Sequence, residues 1–425
     1  MKKNGHTGVE PIHDLKRIAA DVVRRAGFVI ESFGPRPPGS VAETQTLDYA
    51  RELLGNSEEI ATFGESFSFA PMAFFQMQRV SAVLGMVGFS LYWIHPSGGL
   101  ICGLLALLVQ YHQLLRYHLF LDPFFPKKES RNFWAQLEPT TPATQTIILN
   151  AHPDAAYEWR WLRMFPKWFG PLVGFMLGCL FLLPILSMAG WWMEARGLDS
   201  RMCGIALCGL VPGFVLAYFF NDLDVVAPGA NDNLSGMFLA MGVFEEFASP
   251  KNRLRQTRLV FLLTGAEEAG LRGAKAWAAR HKGSFDLDST FVITLDTIRD
   301  LDHLRIYSRD LNGTVAHDPA VCRWLRESAN ETGHPAPFGS IFLGASDAAA
   351  LTQAGFRSAT IAAMDPSPAH YYHTRRDTPE AMNPECLRVV ADLLFHAIAE
   401  RDKTGPLAKS QDQNQQGFRP STVQG

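Results

Sequence analysis

The chain has 425 residues, enough for one large domain or two to three ordinary ones and for a sizeable core. Hydrophobic residues make up 47% and charged residues only 19%, below the soluble-domain average of about 25%, which excludes a disordered chain and points to lipid contact. A net charge of -3 supplies no basic field, so no nucleic-acid partner is expected, and six cysteines without zinc-ribbon spacing read as small buried hydrophobes.

The start, Met1 to Ile30, mixes charges with isolated apolar residues and holds no continuous apolar stretch of the kind an export signal needs. From Leu15 to Phe33, and again from Val41 to Leu54, apolar residues recur at helical spacing. Gly34 to Ser40 interrupts them, which predicts two amphipathic helices around a rigid turn.

The segment Val80 to Leu115 then contains no Asp, Glu, Lys or Arg and is broken by His95-Pro96-Ser97-Gly98-Gly99, which predicts a short membrane hairpin. Trp168 to Met193 and Met202 to Asn221 are two further charge-free runs, separated by Glu194 to Arg201. Both are long enough to span a bilayer, with Trp168, Trp191, Trp192 and Tyr218 near their ends as interfacial anchors. The expectation is four transmembrane helices in two hairpins. Arg79, Arg116, Lys127, Lys128, Arg131, Arg160, Arg163 and Lys167 flank the ends that face the polar segments, while the opposite loops carry only Arg196 and Arg201. An inner-membrane-like protein with its polar domain in the cytoplasm is therefore expected.

The polar remainder reads as α/β. Strand candidates Thr146 to Leu149, Leu259 to Leu263, Phe291 to Leu295 and Ala359 to Ala362 alternate with amphipathic helices. Each precedes a chemistry-bearing segment: His152-Pro153-Asp154, Gly265-Ala266-Glu267-Glu268, Asp296, and the loop His370-Tyr371-Tyr372-His373. Ligands in open α/β sheets gather at the carboxyl ends of strands, so these side chains can converge. A turn-rich stretch, Pro228 to Gly236 with Asp232 at its centre, opens a further helix. Asp, Glu and His are a donor set that zinc accepts, and the lack of matching thiolates argues against a structural zinc site.

In sum these segments resemble the M28 zinc metallopeptidases, the family of bacterial aminopeptidases. The likeness runs through His152-Pro153-Asp154, Pro228 to Gly236, Gly265 to Gly273, Asp296, Ser346-Asp347, His373-Thr374-Arg375-Arg376-Asp377-Thr378 and the Gly34 to Ser40 turn. It implies a zinc-exopeptidase-like mixed sheet flanked by helices, and a hydrolase of peptide substrates with two Zn²⁺ ions per chain. Metal ligands would be His152 and Asp296 for one ion and Glu268 and His373 for the other, with Asp232 between them. Glu267 would be the general base and Asp154 would orient His152; Asp377 would orient the His373 loop or simply hold a turn. His373 rather than His370 sits in the family frame, and Arg375 and Arg376 read either as binders of a substrate carboxylate or as exposed loop residues.

The chain departs from the family where the hairpins are inserted and at Ala348, which follows Ser346-Asp347 in place of an aromatic or histidine. The expected partition is peptidase segments 1–70, 123–165 and 223–402, hairpins at 71–122 and 166–222, and a disordered tail at 403–425. Two other readings are a glutaminyl cyclase-like enzyme with one zinc and a non-catalytic receptor or scaffold on a peptidase fold. Side-chain specificity and oligomeric state are not legible in the sequence.

Overall fold

Among the described residues, eleven strands form in chain order: β1 (Ile60–Phe69), β2 (Lys128–Leu137), β3 (Gln145–Ala151), β4 (Tyr157–Trp159), β5 (Asn221–Val226), β6 (Thr257–Leu263), β7 (Thr290–Ile298), β8 (Leu304–Asp310), β9 (Val315–Ala316), β10 (Phe338–Ser340) and β11 (Arg357–Ala363). The computed structural model describes residues 14–55, 59–367 and 369–408. The four expected apolar runs fall in β3, β6, β7 and β11, which lie side by side as β6-β3-β7-β11, all parallel. They are buried on both faces, which is why they read as unbroken apolar runs rather than as alternation. Antiparallel β2 and β1 extend the sheet on one side, and β8, β9 and β10 on the other.

Side chains alternate across this sheet into two cores. Ile147 and Leu149 join the cluster under the helices Leu15–Phe33, Gly236–Ala248 and Pro384–Thr404, while Ile148 and Val292 meet Trp277 and Leu351 on the other face. The mixed sheet flanked by helices is the fold class that the sequence predicts. Both N-terminal helices form at the expected bounds. Asp14 accepts from the Arg17 N–H and Ser40 from the Glu43 N–H, and Gly34 and Gly55 end them at positive φ.

Each apolar insertion grows from the tip of a β-hairpin. In the first, Phe69 pairs with Lys128 at the last rung of β1–β2, so everything between them is insertion. In the second, Trp159 pairs with Asn221 in the two-stranded β4–β5 sheet, and the Arg160 N–H donates to the Phe220 carbonyl at 3.0 Å. The sheet itself is left uninterrupted.

The insertions are helical and pack together. Met77–Tyr92 lies against Pro96–Val109 and against Val211–Tyr218, and Pro96–Val109 lies against Phe169–Ala195. Close crossing depends on small residues: a Cβ on Gly88 would sit 2.8 Å from Cys102, and one on Gly85 2.8 Å from Phe214. Outward residues such as Ile101, Leu104, Phe181, Met188 and Ile205 are exposed, so these helices are apolar all round.

Among the described residues, three helical stretches are long and apolar enough to cross a membrane, Pro96–Leu115, Pro166–Ala195 and Arg201–Tyr218, against the four expected. Met77–Tyr92 has only 16 residues, because Gln76 separates it from the short helix Pro71–Phe75. The last stretch is two helices, Arg201–Cys208 and Val211–Tyr218, since Pro212 has no N–H for the Cys208 carbonyl. At the carboxyl end, Pro384–Thr404 runs into the expected tail, and the carbonyls of Leu407 and Ala408 accept from Arg357 at 3.1 and 2.9 Å. The rest of that expected tail, 409–425, lies outside the described residues.

Candidate active site

The carboxyl ends of the four parallel strands deliver most of the expected residues to one place. His152 follows β3, Glu267 and Glu268 sit in the turn after β6, Asp296 lies near the end of β7, and His373 comes from the loop after β11. Asp232 arrives from the irregular turn Ala230–Ser235, entered through Gly229 at φ +68. A Cβ there would meet Ala155 and Arg36 at 2.7 Å, so only glycine fits.

Asp232 is the centre of the cluster. Its Oδ1 lies 3.5 Å from His152 Nε2, and its Oδ2 lies 3.0 Å from His373 Nε2. Donor atoms of His152, Asp232 and Asp296 fall within 4.8 Å of one another, and so do those of Asp232, Glu268 and His373. His373 Nε2 is 3.3 Å from Glu268 Oε2, and His152 Nε2 is 3.8 Å from Glu267 Oε2. His152, Glu267 and Glu268 form a third such group. His370 is exposed and outside all three.

Buried carboxylates of the surrounding turns hold these residues. Asp154 lies 3.5 Å from His152 Nδ1, and its two oxygens also accept the N–H groups of Glu267 and Glu268 at 3.1 and 3.0 Å. Asp377 acts on the Asp232 turn rather than on the His373 ring: it accepts from the Asn231 N–H, the Asn231 side chain and the Asp232 N–H. Two further acids brace the cluster: Glu43 shows in the sequence only as a capping residue three positions after Ser40, and nothing local marks Glu158. Glu43 accepts from the Ala266 N–H at 2.7 Å and from Gly39 and Ser130, steadying the turn that carries Glu267. Glu158 accepts three hydrogen bonds from Arg375 and pairs with Arg163 at 3.0 Å, while the Trp159 N–H donates to the His373 carbonyl at 2.8 Å. Arg375 is thereby engaged on Glu158. Thr264 donates to Asp347, which places that carboxylate beside the same turn.

The electrostatics ask for cations. Among the described residues, no Arg or Lys forms an ion pair with Asp154, Asp232, Glu267, Glu268 or Asp296. Arg36, whose charge also acts on Asp377, Asp154 and Asp232, hydrogen-bonds the carbonyls of Pro153 and Gly229. Burial pushes the Glu267 and Glu268 carboxyls well above the usual range, with neighbouring acids adding to it against the opposing His152. Burial and the nearby Asp232 likewise push Asp296 up to about 7. Asp232 goes the other way despite burial, because hydrogen bonds to His152 and His373 favour its charged form. Glu268 Oε1 is buried without a hydrogen-bond donor, and Asp232 Oδ2 faces the His373 ring nitrogen. An orphaned acceptor among several acids that no Arg or Lys salt-bridges, with two imidazoles beside them, fits divalent metal ions of the zinc type.

A cavity of about 100 Å³ opens onto this cluster. Glu267, Glu268 and His373 line one end, with Tyr117, Trp159 and Tyr372 around them. The Tyr372 ring stacks on His373 at 3.9 Å between centroids, and Trp159 meets it edge-on at 4.5 Å. The far wall is made by the apolar helices, through Met77, Val173, Met176 and Leu177.

Residues 216–398 match Peptidase family M28, which bears out the resemblance carried by the motifs over that stretch. No curated protein sequence matches the chain. Among solved structures, the chain is similar to a Zn-dependent exopeptidase from Parabacteroides distasonis at 14% identity, with a TM-score of 0.54 over 92% of this chain and 99% of that one. It is also similar to a glutaminyl cyclase from an Acidobacteriales bacterium at 16% identity, TM-score 0.53, over 95% and 100% of the two chains. A zinc aminopeptidase from Bacillus subtilis matches at 14% identity, TM-score 0.52, over 90% and 95%. The shared feature is the zinc-exopeptidase fold.

Proposed function

We propose that this chain is a membrane-embedded di-zinc exopeptidase of the aminopeptidase type, with His152 and Asp296 holding one ion, Glu268 and His373 the other, and Asp232 shared. The observation that carries the reading is the position of Asp232, whose two oxygens reach two imidazoles that belong to separate ligand groups. When bound, two such ions supply an acidified water and a polarised scissile carbonyl. Glu267 lies beside the candidate ligands and outside the two groups that share Asp232, which leaves its carboxylate for proton transfer. It takes the proton of the attacking water and passes it to the leaving amine. Asp154 fixes the turn that aims Glu267 and lies beside the far nitrogen of His152.

The apolar helices support placement in a lipid bilayer with the peptidase domain on the cytoplasmic side, where the flanking Arg and Lys residues lie. A glutaminyl cyclase-like enzyme needs a single metal site; the pairing of His152 with Asp296 beyond the Asp232–Glu268–His373 group favours two.

Purified protein is expected to bind two zinc ions per chain and to hydrolyse aminoacyl-naphthylamides. A chelator should abolish turnover, and Glu267→Gln should lower kcat by about 10²-fold or more with zinc retained. One zinc per chain, or Glu267→Gln turning over at the wild-type rate, overturns the reading.

A further inference from the structure

We propose that the substrate is an amphiphile, an amide whose N-terminal, acyl-side residue carries a long hydrocarbon chain that runs from the metal cluster between the two apolar hairpins. This rests on the exopeptidase reading and adds a substrate class to it.

A single cavity has acids at one end and membrane-type helices at the other. Glu267, Glu268 and His373 line the first; Met77, Leu114, Met176 and Leu177 line the second and come from both insertions. Met176 and Leu177 lie two turns into the helix Phe169–Ala195, about 10 to 12 Å from its start at 1.5 Å per residue. That depth belongs to hydrocarbon rather than to headgroups once the helix spans a bilayer.

The amides on this wall are engaged in part: Gln78 and Gln110 exchange hydrogen bonds at 3.3 and 3.2 Å, and Asn221 donates to the Phe75 carbonyl at 2.9 Å while its Oδ1 is left as a single buried acceptor. Among the described residues, the only charged side chains lining the cavity are Glu267, Glu268 and His373, with no Arg or Lys for a substrate carboxylate. Enclosed volume is small: about 100 Å³, against about 150 Å³ for an apolar cavity that takes up benzene. The closed part has room for the first few carbons, and the proposal places the rest of a longer chain along the apolar helices beyond it.

The peptidase domain is also apolar where it meets this opening. Leu343 lines the cavity and is 46% exposed, and its neighbour Phe342 is 90% exposed. Their loop is tied to the first insertion through Asn312, which accepts from the Gly344 N–H and donates to the Leu114 carbonyl, both at 2.9 Å. An exposed phenylalanine at the end of the apolar bundle suits contact with lipid.

The test uses the full chain in phosphatidylcholine vesicles and three fluorogenic amides of 7-amino-4-methylcoumarin, with alanine, norleucine and 2-aminododecanoic acid. The expected result is a rise in kcat/KM from alanine to norleucine and a further rise of about tenfold or more to the dodecanoyl substrate. Val173→Trp, which fills the cavity, should lower the dodecanoyl-to-alanyl ratio by about tenfold. A ratio that stops rising at norleucine, or that is unchanged in Val173→Trp, overturns the proposal. An independent readout is photolabelling with a diazirine-bearing dodecylamine. Label on the peptide holding residues 173–177, displaced by dodecylamine and not by methylamine, supports the assignment; label spread evenly over all apolar helices overturns it. No turnover of any amide with label at 173–177 defeats the exopeptidase reading and keeps the hydrocarbon site. Turnover without chain-length preference and with diffuse label does the reverse.

Discussion

The two β-hairpin stems that carry the apolar insertions are built differently, and each steadies a different part of the cluster. The β1–β2 stem is a ten-rung ladder within the main sheet, running from Ile60–Leu137 to Phe69–Lys128. Through Ser130 and Asn132 it meets Glu43 and the Gly265 N–H, and so supports the turn before Glu267. The β4–β5 stem has only three rungs and no place in the main sheet, yet it lies directly against the His373 loop through Trp159 and Glu158. A long ladder carries its insertion without help from the site, whereas a short one shares hydrogen bonds with a candidate metal ligand. The stem of the second insertion is therefore the one that hydrogen-bonds a candidate ligand directly, through the Trp159 N–H and the His373 carbonyl.

The largest expected effect involves neither stem. Asp232→Ala removes the carboxylate common to both ligand groups, so bound zinc should fall from two ions to one or none and kcat/KM by about 10³-fold or more, measured by metal analysis and amide hydrolysis. A variant that keeps two ions would mean the groups do not share Asp232. Next comes excision of both insertions, joining Phe69 to Lys128 and Arg160 to Phe220 through two-residue turns, since both pairs of ends already meet. The product should be soluble, bind zinc and retain some hydrolysis of short substrates, while losing the cavity wall formed by Met176 and Leu177. Loss of zinc from this protein, with circular dichroism unchanged, would show that the short stem cannot hold the His373 loop by itself.

Glu158→Gln sharpens the comparison without deleting anything. Burial works against the Glu158 carboxylate, yet hydrogen bonds and charge from Arg375, with Arg163 beside it, hold its pKa below the usual range. The amide loses one acceptor and the charge, which frees the Arg375 end of the His373 loop. Zinc affinity measured against a competing chelator should weaken by about 10- to 100-fold, as for other residues that orient a ligand from behind. An unchanged affinity would separate the stem from the ligand loop.

How much of this was legible follows from where the sequence puts its signals. β3, β6, β7 and β11 are buried on both faces, so each is a plain apolar run that ends at His152, Glu267, Asp296 or the His373 loop. β2 and β8, with sequences KESRNFWAQL and LRIYSRD, mix charges among apolar residues because they are buried only in part, and they do not stand out. Helix ends at Asp14, Gly34, Ser40 and Gly55 were readable because capping is local chemistry. The roles of Glu43 and Glu158 at the cluster were not, because the Ala266 N–H and Arg375 that they engage lie 223 and 217 residues away, although Glu43 also accepts from Gly39 within its own cap. Met202 to Asn221 reads as one span by composition, and only the missing N–H of Pro212 divides it.

Glu43 gives the smallest and most specific prediction. Its carboxyl is fully buried, and burial, reinforced by repulsion from Asp154, raises its pKa from 4.5 to about 8 even though Ala266, Ser130 and Gly39 donate to it. The folded state thus keeps a proton that the unfolded chain releases near 4.5, and stability is expected to fall as pH rises from about 5 to about 8. Glu43→Gln removes that titration while leaving one oxygen for the Ala266 N–H. The apparent Tm of the variant should be flatter than that of the wild type across this pH interval, with kcat/KM lowered only severalfold. A parallel pH slope in both proteins would place the titrating group elsewhere. A loss of activity as large as that of Asp232→Ala would make the long stem as critical to the cluster as the short one.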